Sequence, residues 1–219
     1  MKMKGIVDRI FIFDFDGTLV DSMSTFSDVM TRVLDEYGVS YEADIVKVIT
    51  PLGYRGTAEY FRDLGINESV DDLVKYMQSL AVDEYTHRIR AKAGVIDTLV
   101  RLKEKGACLN VLTASPHSAL DPCLKRLGMW DIFINVWSSD DFGLTKSDPK
   151  IYYDAATRLG AQTEQIIFVD DNLGAIRTAK RAGVTTVGIF DDSSRDCVLD
   201  MQDEADYYVY TFDKIFNLL

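Results

Sequence analysis

Four short apolar runs punctuate the chain: Ile10–Phe13, Leu109–Leu112, Ile166–Val169 and Thr185–Ile189. Each is followed by a polar turn and then by a stretch with helical spacing. Runs this short suit strands buried on both faces, and their alternation with helices predicts a parallel α/β sheet. The intervening helices are expected to stop at Gly106, Gly128, Gly160 and Gly183, where a left-handed residue ends a helix at least steric cost. Ser115-Pro116 reads as a cap and a first-turn proline for the helix after the second strand.

One long segment breaks the alternation. Between Ser22 and Ala91 no strand pattern occurs, while Phe26, Val29, Met30, Val33, Leu34 and Tyr37 fall at helical spacing before Gly38. Leu73, Tyr76, Met77, Leu80 and Ala81 repeat the pattern. An insertion of roughly 70 residues is far longer than an ordinary connection, so residues 22–91 are expected to form an α-helical cap with its own packing. Residues 1–21 and 92–219 would form the core. The acidic stretch Asp191–Asp206 is expected to be a solvated surface loop.

Composition narrows the picture. With 219 residues and 47% hydrophobic content, the chain can bury a sizeable core. Its 35 acidic side chains against 24 basic ones give a net charge of -11, which excludes sequence-independent binding to nucleic acid or to an anionic membrane. Cys108, Cys123 and Cys197 are odd in number and lack metal-ligand spacing, so reduced thiols are expected. Met1–Gly5 leads into too short an apolar stretch for a signal peptide, and no run reaches membrane length; a cytoplasmic protein is expected.

The ends of three predicted strands carry the chemistry. The first runs into Asp14-Phe15-Asp16-Gly17-Thr18, the second into Thr113-Ala114-Ser115 and the third into Asp170-Asp171-Asn172. Ligands of open α/β sheets bind beyond the carboxyl ends of strands, so two pairs of carboxylates converge on one edge. Their repulsion implies a divalent cation, and an all-oxygen donor set suits Mg2+ better than zinc. His87 and His117 read as helix-surface residues rather than ligands.

The stretch Asp14-x-Asp16-Gly17-Thr18-Leu19-Val20-Asp21-Ser22 after an apolar strand resembles the first motif of the haloacid dehalogenase superfamily, in its phosphatase branch. Thr113 matches the second motif, Lys146 with Pro149 resembles the lysine motif, and Asp170-Asp171 resembles the acidic fourth motif, all in the family's order. Two departures stand out: Ser147 replaces the proline that usually follows the lysine, and Ala175 and Ile176 stand where a further acid is common. The resemblance implies a Rossmann-like core with an inserted helical cap, acting as a Mg2+-dependent phosphatase on a small phosphorylated metabolite through an aspartyl-phosphate. A phosphoglycolate- or sugar-phosphate-phosphatase-like activity is implied, in a monomer or, alternatively, a dimer. A phosphosugar mutase of the beta-phosphoglucomutase type, or a noncatalytic phosphate-binding module on the same fold, are the alternatives.

Roles follow residue by residue. Asp14 would be the nucleophile and a metal ligand. Asp16 would be the general acid and base and also a metal ligand. Gly17 would permit the sharp exit from the strand, and Thr18 would stabilise the turn. The Thr113 hydroxyl and the Ala114 backbone would hold the phosphoryl group, and Lys146 would neutralise it. Asp170 and Asp171 would complete the metal shell, with Asp171 the stronger candidate. Within the glycine-bracketed loop Gly53–Thr57, Arg55 would take a second anionic group and Tyr54 would stack on a ring. Asp16 argues against the dehalogenase branch. The absence of lysine between Lys4 and Lys47 argues against the phosphonate-cleaving branch, and Phe26 with its neighbours replaces the histidine of the mutases.

Overall fold

The computed structural model describes residues 9–218; the Met1–Gly5 segment considered above lies outside the described residues. The chain divides into two compact units, one made of the segment up to Asp21 together with Arg90 onward, the other of Ser22–Ile89.

The Ser22–Ile89 unit is helical among its described residues: α1 (Thr25–Glu36), α2 (Ile45–Ile49), α3 (Gly53–Asp63) and α4 (Val70–His87). Of the inward positions expected, Val29, Met30, Val33, Leu34, Leu73, Met77, Leu80 and Ala81 are buried, Phe26 and Tyr76 are half-buried, and Tyr37 at the end of α1 is exposed; Met30, Val33, Leu34, Phe61, Leu73 and Met77 form one cluster. Ser69 caps α4 by accepting the Asp72 N–H at 3.1 Å. The Gly53–Thr57 segment departs from the expected loop and forms the start of α3. Pro51 sits in a 3-10 turn over Thr50–Leu52, Gly53 leaves it with φ +62°, and the helix then begins at once. The buried Thr57 donates to Ile49 O, tying α3 back onto α2.

The other unit is built on a parallel sheet of β1 (Ile10–Phe13), β2 (Cys108–Thr113), β3 (Asn135–Ser138), β4 (Ile166–Asp170), β5 (Thr185–Ile189) and β6 (Tyr207–Val209). Their order is β3-β2-β1-β4-β5-β6, and each neighbouring pair is parallel. The connecting helices are α5 (Val95–Glu104), α6 (His117–Arg126), α7 (Lys150–Leu159), α8 (Leu173–Arg181) and α9 (Val198–Glu204). Gly106, Gly128, Gly160 and Gly183 all have positive φ where the helices end, as their spacing predicts. Ile12, Leu112, Ile151, Tyr152, Phe168 and Ile176 pack one face of the sheet.

The acidic Asp191–Asp206 stretch is not a loop. It folds into a 3-10 turn over Asp192–Cys197 followed by α9, anchored by the buried Met201. Asp191 is itself buried and ion-paired. Seven acids in this stretch mask the few inward positions that make it a helix.

Candidate active site

Parallel register decides which side chains meet. Phe13 pairs with Val169 on one side and Val111 on the other, and the Asp14 N–H still donates to Val169 O at 2.9 Å. The next positions along, Asp14 and Asp170, therefore lie side by side at the carboxyl edge. The chain steps outward from β1 through β2 to β3 on one side and then crosses back to β4 on the other side of β1, and the crevice at such a reversal of strand order is where open sheets bind ligands.

Lys146 sits between these two acids, 2.7 Å from Asp14 Oδ1 and 2.7 Å from Asp170 Oδ2. Asp171 joins them: oxygens of Asp14, Asp170 and Asp171 lie within 4.8 Å of one another, on residues 5%, 0% and 4% exposed. Three carboxylates and one ammonium leave a formal charge of -2 out of contact with water, a cost of several kcal/mol if unrelieved. The titrations register that cost. Burial first, then the Asp170 and Asp171 charges, push the Asp14 carboxyl well above the usual range, against the pull of Lys146. Burial and Asp170 push Asp171 up to about 7, opposed by a hydrogen bond from Thr18. Burial alone would lower the Lys146 ammonium, but its two carboxylate neighbours outweigh it and hold it charged.

These residues fit a hard divalent cation. All three donors are carboxylate oxygens, the residual charge matches, and the buried Asp14 Oδ1 accepts no hydrogen bond, its contact with Lys146 being an ion pair without hydrogen-bond geometry. Asp14, Asp170 and Asp171 could hold such an ion.

Asp16 is placed differently from the metal ligand expected. Its carboxylate is not part of the three-acid group; Asp16 Oδ2 accepts from Ser115 Oγ at 2.5 Å and from Thr113 Oγ1 at 3.5 Å. The cause is the turn after β1: Phe15 is fully buried, Leu19 N–H closes on Phe15 O and Gly17 N–H on Val20 O, so Asp16 is aimed at the end of β2. Ser115 is likewise not a helix cap. The capping position falls on Pro116, and the Ser115 hydroxyl goes to Asp16 instead. Thr113 is buried and its Oγ1 accepts the Ser115 N–H at 3.0 Å, with the exposed Ala114 between them.

The contacts of three residues had no recognisable signal in the sequence. Thr18 donates to Asp171 Oδ1 at 2.9 Å, beyond the turn-stabilising part expected of it. Gly17, with φ +72°, packs so closely that a Cβ there would fall 2.5 Å from Asp171 Oδ2. Tyr152, six residues after Lys146, directs its hydroxyl to Lys146 O and Ala175 O, each 3.2 Å away, and so fastens the loop that carries the ammonium.

Tyr54 and Arg55 belong to the helical unit. The half-buried Tyr54 ring lies edge-on to Phe26 with centroids 5.3 Å apart. Arg55 is 70% exposed and paired with Asp71 at 3.2 Å.

Comparison with known proteins places the chain in context. A family model described as haloacid dehalogenase-like hydrolase matches residues 11–189. A phosphoglycolate phosphatase of Pseudomonas putida is 30% identical over 84% of this chain and 70% of its own. The pyrophosphatase PpaX of Bacillus velezensis is 29% identical over 81% of each. Among solved structures, a protein from Thermotoga maritima named for beta-phosphoglucomutase superposes with a TM-score of 0.83 at 24% identity, covering 96% of this chain and 97% of its own. That likeness speaks for the fold.

Proposed function

The chain belongs to the haloacid dehalogenase-like hydrolases, and within that family we propose that it is a Mg2+-dependent phosphatase acting on a small phosphomonoester through an aspartyl-phosphate. The observation that carries this reading is the separate treatment of two carboxylates two residues apart. Asp14 is buried beside Lys146 and two further acids, whereas Asp16 is turned away to a pair of hydroxyls. One group is thereby presented as a nucleophile and the other as a proton carrier.

In this reading an Asp14 oxygen attacks phosphorus while the ester P–O bond breaks, and the departing alkoxide takes a proton from Asp16. Asp16, now a carboxylate, accepts a proton from water as that water attacks the aspartyl-phosphate; inorganic phosphate leaves and Asp14 is restored. Lys146 offsets the charge that Asp14 and the phosphoryl oxygens bring together, and the Thr113–Ser115 turn supplies donors at the end of β2. Mg2+, held by Asp14, Asp170 and Asp171, would contribute charge stabilisation at the phosphoryl oxygens.

The relatives named for phosphoglycolate and for phosphorylated carbohydrates support a small anionic metabolite as substrate. The helical unit is assigned as the cap that sets substrate choice. Among the described residues no helix is long and apolar enough to cross a membrane, and Cys108, Cys123 and Cys197 are unpaired with one another; a cytoplasmic monomer is the proposed state.

Turnover of a panel of small phosphomonoesters with Mg2+ tests the reading. EDTA should abolish release of phosphate, and Asp14→Asn should lower kcat by about four orders of magnitude, the scale of losing a covalent nucleophile. Undiminished turnover by Asp14→Asn would refute the mechanism.

A further inference from the structure

Lys92 follows the re-entry of the chain into the sheet unit and is only 20% exposed at its side chain. Its backbone N–H donates to Leu19 O at 3.0 Å. Its ammonium lies 2.6 Å from Gly17 O, 3.0 Å from Phe190 O and 2.9 Å from Asp191 Oδ2. An ammonium has three protons, and here all three have acceptors. Asp191 is fixed in turn, since its other oxygen accepts from the Ser193 N–H and hydroxyl.

The placement of these acceptors gives the contact its meaning. Gly17 O belongs to the turn leaving β1, while Phe190 O and Asp191 belong to the exit of β5. The sheet order puts β4 between those two strands, and β4 delivers Asp170 and Asp171. Lys92 therefore joins the exits on either side of the acid-bearing strand. The peptide plane whose carbonyl it holds links Gly17, seated against Asp171, to Thr18, whose hydroxyl donates to Asp171. Turning that plane would move both contacts at once and would shift Asp16, which directly precedes it.

Resting on the reaction assigned above, we infer that Lys92 is a positioning residue, a brace that holds the Asp16–Leu19 turn against Asp171 without touching substrate. A structural ion pair with Asp191 would stabilise the whole unit evenly; a brace protects the turn selectively.

The test compares the full-length, metal-free wild type with Lys92→Met, which keeps the aliphatic stem and removes the donors. Amide hydrogen exchange should speed up ~10-fold at Gly17, Leu19 and Val20, with amides of β2 unchanged. In the Mg2+-loaded enzyme, kcat for a small phosphomonoester should fall ~10–100-fold with KM altered less than ~3-fold. Equal exchange in the two proteins, or acceleration spread equally through β2, overturns the brace. An unchanged kcat in an active enzyme overturns the positioning role. A wild type that hydrolyses no phosphomonoester overturns the reaction and leaves the exchange result to decide the brace. Lys92→Gln, which retains one donor, takes the place of Lys92→Met if that variant does not fold, with the same selective acceleration expected.

Discussion

Ser115 shows how much of the chemistry is settled one hydroxyl at a time. Its side chain is the closer of the two groups on Asp16, and once Asp16 has given up its proton a hydrogen bond to the resulting carboxylate contributes about 1.5–3 kcal/mol. Ser115→Ala should therefore reduce kcat/KM by ~10–100-fold if that orientation persists into the transition state. Steady-state kinetics on the folded variant would check this; a variant with wild-type kcat/KM would show that the contact is incidental. His117 is a second local device, with Nδ1 2.7 Å from Asp121 and Nε2 2.9 Å from Asp141. Hydrogen bonds to these two acids raise its titration point. Asp141 is lowered, because hydrogen bonds from His117 and the Ser138 N–H outweigh its burial. The sign follows: the histidine's contribution is complete below its unfolded value of about 6.5 and is lost as pH rises through the higher folded value. The stability gap between wild type and His117→Gln should accordingly shrink from pH 6 toward alkaline pH in denaturant titrations. Asp14, Asp16, Thr113 and the Asp170-Asp171 pair can be singled out in the sequence because they stand where apolar strands end, whereas Lys146 lies in the loop between β3 and α7 and is singled out by the family resemblance alone. The direction in which Asp16 points was not, because it depends on how Phe15 is buried and how the turn closes.

At the scale of elements, legibility followed burial. β1, β2, β4 and β5 are interior strands, buried almost throughout and rich in apolar and β-branched residues, whereas β3 and β6 lie at the sheet edges, are short, and carry Asn135, Ser138 and two tyrosines among their few residues. An edge strand is specified mainly by the neighbour it pairs with, which the local pattern does not contain. The helical unit has the opposite character, since the spacing of its apolar residues already fixed its inward faces. Its stability should consequently reside in packing rather than in caps. Phe61→Ala, at a fully buried position, should cost about 3–5 kcal/mol, while Ser69→Ala, which removes the α4 cap, should cost about 1 kcal/mol. Chemical denaturation of the two variants gives the ranking directly, and a larger loss for Ser69→Ala would reverse the argument.

For the molecule as a whole, a net charge of -11 argues against polyanionic partners, yet the substrate proposed for the site is an anion. The resolution lies in range: surface charges are screened within about 8–10 Å at physiological salt, whereas Lys146 and a cation among the three acids act at contact distance. The same arrangement links metal, protons and stability. In the metal-free protein Asp14 and Asp171 hold protons that the unfolded chain, with carboxyls near 3.9, has already released. The folded state binds more protons above the unfolded value, so their contribution to stability falls as pH rises, for Asp171 between about 4 and about 7. Mg2+ must displace those protons to bind, and its stabilising effect should grow over the same window. At Mg2+ roughly 100-fold above its Kd, the gain is about 2.7 kcal/mol, equivalent to ~5–10 °C in Tm for a chain of this size. Thermal melts with and without Mg2+ at pH 5 and pH 8 should show the larger increment at pH 8. Equal increments would mean that the cation binds away from the titrating acids, and Asp171→Asn, which removes one acid and its proton, should flatten the pH dependence if it binds among them.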